Sequence, residues 1–307
     1  MFAEKNKSLI SIRSKSELAD IAEQLFRKDG SAKILKINSK VLRAFISEVG
    51  RRYKNNPYHN FQHAVDTTNN MLWLLNLPTF KKNISPFHRF MLLVSALVHD
   101  VEHPGNDNQW ELKTNSELAR RYKVNSVLEQ HSLWVFQEIL KKDGMNIFES
   151  FEEKELKEAH RLMGELILCT DFSCHSGFIR ELSEGVKKKP IKFTDPKTRS
   201  LVIRSLIKAA DIGNTAKTYS KAKSWGMRVI KEYRAQGARE KKAKLPVGVN
   251  NDPSRTDFYT SQAGFIKNQT MALFELMTEM EPKLDEVVRK LEKNHKAYLK
   301  NADRNKG

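Results

Sequence analysis

Two imidazoles and two carboxylates crowd into five residues at His99, Asp100, Glu102 and His103, directly after the apolar run Phe90–Val98. Imidazole and carboxylate both ligate divalent cations, and a solvated helix end seldom gathers imidazole, so this density points to a metal. His59 and His63 stand four apart; on a helix they share a face, and either could be a ligand. Asp211 emerges from the apolar stretch Leu201–Ala210 and adds a further hard oxygen. Taken together, His63, His99, Asp100 and Asp211 form a mixed nitrogen and oxygen set in which one bridging carboxylate could hold two divalent ions about 3.5–4 Å apart. Such a pair acidifies a bridging water and neutralises phosphoryl oxygens during in-line attack, so the chemistry indicated is phosphate ester hydrolysis. Each piece alone has a plainer reading: a chance histidine pair, a capped helix terminus, an aspartate that stops a helix.

The elements that must position these groups read as helices. Ser14 followed by Glu17 forms a capping box that opens a helix to about Lys28, with Leu18, Ile21, Ala22 and Leu25 on its apolar face. Helical periodicity recurs near 39–53, 61–76, 86–99, 125–141, 152–169, 197–209, 217–235, 258–280 and 283–299, while strand alternation is nearly absent. Pro86, Pro196 and Pro282 sit where helices begin, and Gly50, Gly144 and Gly177 where they end or bend. The stretch 236–256, with Gly237, Pro246, Gly248 and Pro253, reads as the longest irregular loop.

Composition agrees with an all-α fold. Of 307 residues, 39% are hydrophobic and 30% charged, and only 13 are Gly and 9 Pro, which suits a helix-rich globule better than a sandwich or a disordered chain. No domain boundary shows, so a single catalytic domain over 1–307 is expected, with a basic tail at 299–307. The N-terminus lacks a signal-peptide apolar core and no apolar run is long enough to span a bilayer. Two cysteines, Cys169 and Cys174, exclude a disulfide framework and fit a reducing compartment, so a cytoplasmic location is expected. Lys plus Arg (54) exceed Asp plus Glu (37) by 17, which would attract any anionic ligand. That excess is dispersed and not interleaved with aromatic platforms, an argument against nucleic acid as the partner.

Six separated motifs carry a resemblance. Tyr58-His59-Asn60 with His63, His99-Asp100 with His103-Pro104-Gly105, Leu128-Glu129-Gln130-His131, Thr170-Asp171, Ala210-Asp211 with Asn214, and Ser261-Gln262-Ala263-Gly264-Phe265-Ile266 resemble the catalytic domain of class I cyclic nucleotide phosphodiesterases in order and interval. Leu291-Glu292-Lys293-Asn294-His295 looks like that family's closing helix, so the resemblance covers about 50–298, with the N-terminal helices of 14–54 packed on it. It implies a compact multi-helix domain with a binuclear metal site. In it, His63, His99, Asp100 and Asp211 bind the tighter metal, typically Zn2+, and Asp100 bridges to a second, Mg2+ or Mn2+. By the same resemblance His103, Glu129 and Thr170 orient metal waters, and His59 is the general acid that protonates the departing O3′ of cAMP or cGMP, oriented by Glu292. Gln262 reads the purine edge, Phe265 stacks on its face with Val229 opposite, and Tyr233 and Asn214 border the base.

The chain departs from that pattern at Ser132, where a second histidine commonly follows His131, at Gly213 and at Ala238. Two other functions compete: a different phosphohydrolase of the wider histidine-aspartate superfamily, and a non-catalytic cyclic-nucleotide-binding or scaffold homologue. Gln262 and Phe265 argue against the first, and the intact ligand set against the second.

Overall fold

A computed structural model describes residues 14–188 and 190–304. Among these residues the regular structure is entirely helical. Sixteen α-helices run in chain order. The first six are α1 Lys15–Asp29, α2 Ser31–Ile34, α3 Ser39–Arg52, α4 Phe61–Leu75, α5 Pro78–Asn83 and α6 Pro86–Val98. The middle group comprises α7 Asn108–Lys113, α8 Glu117–Tyr122, α9 Val127–Leu140, α10 Glu153–Leu168 and α11 His175–Lys187. The last are α12 Pro196–Asp211, α13 Tyr219–Lys242, α14 Phe258–Phe265, α15 Ala272–Thr278 and α16 Asp285–Arg304.

The local signals act where the sequence places them. The Ser14 hydroxyl accepts from the Glu17 amide at 3.2 Å while Glu17 accepts the Ser14 amide at 2.9 Å, and α1 stops at Gly30, whose φ of +80° is cheap only without a Cβ. Pro86 and Pro196 each occupy a first turn, where the missing N–H costs nothing.

Helix α4 is the axis of the molecule. It packs against α6, α1 and α12, and every residue of it except Trp73 is buried. Its first half is nevertheless polar: Gln62, His63, Asp66, Thr67, Thr68, Asn69 and Asn70 all lie inside. Buried polar groups destabilise unless partnered, so a fold that keeps seven of them beside Phe90–Val98 of α6 concentrates its polar chemistry at one place. The mouth of α4 is also close-packed, since a Cβ on Gly50 of α3 would meet the fully buried Phe61 ring at 2.5 Å.

Three expectations need correction. Gly177 does not end a helix but lies in the first turn of α11, a helix the charged, glycine-interrupted pattern of that stretch conceals. The expected loop from 236 begins late, because α13 continues to Lys242; Gly237 is in its interior, where a Cβ would stand 2.3 Å from the Asn251 carbonyl oxygen. The expected helix over 258–280 is broken by a π-helical segment, Ile266–Met271, immediately after Phe265. Such insertions shift the side chains beyond them by part of a turn and often accompany functional sites.

Candidate active site

His99 caps the C-terminus of α6, His63 lies in the first turn of α4, and Asp211 ends α12. These three ends converge, so that ligand atoms of His63, His99 and Asp211 all lie within 4.8 Å of one another. Asp100 joins them: its Oδ2 stands 2.9 Å from His99 Nε2 and 3.5 Å from His63 Nε2, and Asp211 Oδ1 lies 3.3 Å from His99 Nε2 and 3.0 Å from His63 Nε2. The four residues singled out as a metal set therefore form one cluster. Tyr53 fixes the strap between the helices, its hydroxyl donating to the Leu97 carbonyl at 3.0 Å and accepting from the Asp100 amide at 3.3 Å.

The donor set fits a cation. His99 Nδ1 donates to the Ala96 carbonyl at 3.1 Å, which leaves Nε2 as the ring's lone-pair nitrogen. That Nε2 is fully buried and, although close to both carboxylates, is not aligned for a hydrogen bond with either. Lone pair and carboxylate oxygens thus aim at a shared space. Burial works to lower the His99 pKa, but Asp100 and Asp211 lift it well above the ordinary imidazole value. Burial likewise pushes both carboxyls upward, and the neighbouring histidines hold them well below the usual carboxylate range. Two half-buried anions side by side demand positive charge at this spot, from protons or from metal.

His59 stands just before α4, partly exposed, with its ring 6.0 Å from that of His63. Its Nδ1 meets Glu232 Oε1 at 2.5 Å, and Glu232 Oε2 accepts the backbone amides of Tyr58 and His59 at 2.9 and 3.1 Å. Burial would lower the His59 pKa, yet Glu232, with Asp100 behind it, raises it to about 9. Glu232 itself is pulled down to about 2 against its burial by the positive His59. The His103 ring lies 4.0 Å from that of His59, tilted by 30°, and burial together with the His59 charge lowers its pKa to about 3, so it is neutral. Its Nδ1 accepts the Gly105 amide at 3.1 Å. The hydrogen therefore sits on Nε2, which makes His103 a donor here and not a ligand, although His59, His103 and Glu232 lie close enough to suggest a second cation site.

Glu292 is corrected. It lies on the exposed side of α16, whose inward positions are Val287, Val288, Leu291 and Asn294, and the carboxylate on His59 is Glu232 of α13. The faint trace of Glu232 in the sequence is its place beside Val229, Ile230 and Tyr233, and the flanking charges Lys231 and Arg234 mask it.

The other expected residues are distributed around this centre. Glu102 turns away at φ +63° to pair with Arg52 at 2.6 Å and His131 at 3.0 Å. Ser132 donates to the Val101 carbonyl at 3.2 Å and so steadies the same turn. Glu129 accepts from Asn108 at 2.9 Å, and burial followed by the nearby Asp171 carboxylate raises its pKa to about 7. The Thr170 hydroxyl donates to the Ile167 carbonyl at 2.7 Å, closing α10. Asn214 donates to the Tyr58 hydroxyl at 2.7 Å. Val229 and Tyr233 are half-buried on α13, and Gln262 of α14 lies against Gly226 of that helix, where a Cβ would be 2.6 Å from its Oε1. Phe265 stacks with Phe172 at 5.5 Å and 24°, and Phe172 stacks in turn on His175 at 4.9 Å. Phe172 is 43% exposed, an apolar ring beside Thr170-Asp171 that the sequence motifs did not single out.

Among the described residues no helix is long and apolar enough to cross a membrane. The sequence profile of the family described as 3′5′-cyclic nucleotide phosphodiesterase matches residues 58–291, well over half of the chain. The chain is 30% identical over 273 residues to the human "High affinity cGMP-specific 3′,5′-cyclic phosphodiesterase 9A", covering 89% of this chain and 46% of that protein. It is 28% identical over 291 residues to the Caenorhabditis elegans "Probable 3′,5′-cyclic-AMP phosphodiesterase pde-4", covering 92% of this chain and 43% of that one. It thus spans about half the length of such curated relatives. The phosphodiesterase domain of the RhoPDE fusion protein from the choanoflagellate Salpingoeca rosetta superposes with a TM-score of 0.90 at 27% identity, covering 99% of both chains. With the motifs, the all-helical architecture and the His/Asp cluster in agreement, the chain belongs to the 3′,5′-cyclic nucleotide phosphodiesterase family.

Proposed function

We propose that this chain hydrolyses the 3′,5′-cyclic phosphodiester of cAMP and cGMP to the 5′-monophosphate. The observation that carries the proposal is the His59–Glu232 pair, a protonated imidazole kept beside a buried carboxylate and imidazole cluster that calls for cations. In this reading His63, His99, Asp100 and Asp211 would hold two divalent metals, Zn2+ at the tighter site and Mg2+ or Mn2+ at the second. Metals so held supply an acidified water for attack on phosphorus and neutralise charge on the phosphoryl oxygens.

The protein's own residues do the rest. Glu232 engages His59 Nδ1, so the ring presents Nε2–H to the departing O3′ and transfers that proton as the P–O3′ bond breaks. Water contributes the oxygen added to phosphorus, and His59 regains its proton from solvent. His103, with its hydrogen on Nε2, and Glu129, poised near neutrality, are suited to orient water. Phe265 offers a half-buried face for a purine, with Val229 for the opposite face and Tyr233 and Asn214 at its border.

The relatives' names point both ways on the base, one to cGMP and one to cAMP. Gln262 decides it here. Adenine presents a donor beside an acceptor and guanine the reverse, so an amide that can turn over serves both. Selectivity needs a neighbour that fixes the amide, because the wrong base then leaves a buried polar group unpaired. Among the described residues no side chain hydrogen-bonds the Gln262 amide, and its neighbour on α13 is Gly226. We expect kcat/KM for cAMP and cGMP to lie within about a hundredfold of each other, and Gln262→Ala to lower both while leaving their ratio nearly unchanged. A larger ratio that collapses in the variant would show a fixed amide.

A further inference from the structure

We propose that the buried ion pair Asp66–Lys217 is a positioning device for the cation cluster, setting the separation of His63 from Asp211. Lys217 Nζ meets Asp66 Oδ1 at 2.6 Å, and the two residues are 3% and 1% exposed. Asp66 sits one turn beyond His63 on α4. Lys217 closes the 3-10 turn Ile212–Ala216 that begins directly after Asp211. The pair therefore ties the helix that carries one ligand to the segment that carries another.

Two further side chains hold the same segment in the same register. Asn70, one turn beyond Asp66 on α4, donates to the Ala210 carbonyl at 2.9 Å, on the other side of Asp211. From α16, Asn294 donates to the carbonyls of Thr215 and Lys217, each at 2.8 Å. The chain around Asp211 is thus held at residues 210, 215 and 217, and the two residues of α4 that hold it, Asp66 and Asn70, share the helix face that bears His63. His63 Nε2 and Asp211 Oδ1 are 3.0 Å apart as a result.

Stability alone does not account for the pair. Desolvating two charges costs about as much as their attraction returns, and a well-packed apolar pair of similar volume stabilises a core as well or better. What a short ion pair adds is a defined length and direction. Groups that orient metal ligands from behind are commonly worth ten- to a hundredfold in metal affinity.

The inference rests on the metal reading above, and the test separates the two. Zn2+ affinity is measured by chelator competition, and melting in the metal-free state by circular dichroism, for the wild type and for Asp66→Leu/Lys217→Met. We expect the double variant to melt close to the wild type when metal-free and to bind Zn2+ about ten- to a hundredfold more weakly. The control is Asp29→Leu/Arg89→Met, which removes a half-buried pair between α1 and α6, away from the cluster; its Zn2+ affinity should match the wild type. A double variant with wild-type Zn2+ affinity overturns the positioning role. If it does not fold, Asp66→Glu, which keeps both charges and changes only the length, should bind Zn2+ about tenfold more weakly, and unchanged affinity there overturns the role equally. A wild type that binds no Zn2+ defeats the metal reading itself.

Discussion

Asp100→Ala is expected to abolish turnover and to strip metal from the folded protein. In this structure Asp100, like Asp211, faces both His63 and His99, and it directly follows His99 in the chain; the histidines hold it ionised well below its ordinary range despite its burial. If it is shared between two ions, its loss removes the water activation and the charge neutralisation together. Removing a single charge-stabilising group from an active site typically costs about 10²–10³ in kcat, and here the cost should exceed that. The variant should still fold, since Tyr53 holds this strap through the Asp100 backbone amide and the Leu97 carbonyl, neither of which the substitution removes. Elemental analysis, circular dichroism and a turnover assay on one preparation check all three points. A folded variant with wild-type metal content and rate would remove Asp100 from the site.

His59→Ala should separate the proton from the metal. Because His59 pairs with Glu232 and lies outside the ligand cluster, the substitution should leave bound metal near the wild-type level while lowering kcat about 10²–10⁴-fold. The loss should shrink for an analogue with sulfur in place of O3′, a better leaving group that needs less protonation. Equal losses on both substrates would make His59 structural. The pH dependence carries a sign. An acid acts only while protonated, so activity should fall as pH rises through the His59 pKa, which Glu232 lifts to about 9 against the opposing effect of burial. Glu232→Gln removes the main raising charge, so the falling limb should move down toward the ordinary imidazole value of about 6.5. A limb that stays in place in Glu232→Gln would show that another group titrates there.

The His/Asp cluster was legible in the sequence because its members are short polar interruptions at the ends of strongly apolar segments. His99-Asp100 after Phe90–Val98 and Asp211 after Leu201–Ala210 can only emerge where those buried helices end, and buried helix ends in one domain have few places to meet. His63 was legible by its spacing from His59. Glu232 was not, because α13 is long and mostly polar, and an acid between Lys231 and Arg234 looks like an ordinary solvated residue. Only the docking of α13 on the loop before α4 gives it a partner. Phe172 was hidden for a related reason: its significance is a stack on Phe265, nearly a hundred residues away, made by a short 3-10 turn with no periodicity of its own. Helix α11 escaped because Ser176-Gly177 and its alternating charges mimic a loop, whereas the buried Phe178, Leu182 and Val186 form its inward stripe. Gly237 misled in the opposite direction. It is not there to end α13 but to let the Asn251 backbone approach it, a requirement that comes from tertiary packing and leaves no local trace.

One measurement tests the central claim most directly. Purified protein, freed of metal with a chelator, is resupplied with Zn2+ and Mg2+ and incubated with cAMP or cGMP in 18O-labelled water, and the products are separated and weighed. The account predicts 5′-AMP and 5′-GMP, each with one labelled oxygen on phosphorus, and no product in the metal-free control. Folded, metal-loaded protein that leaves both nucleotides intact, or that releases 3′-monophosphates, would contradict it.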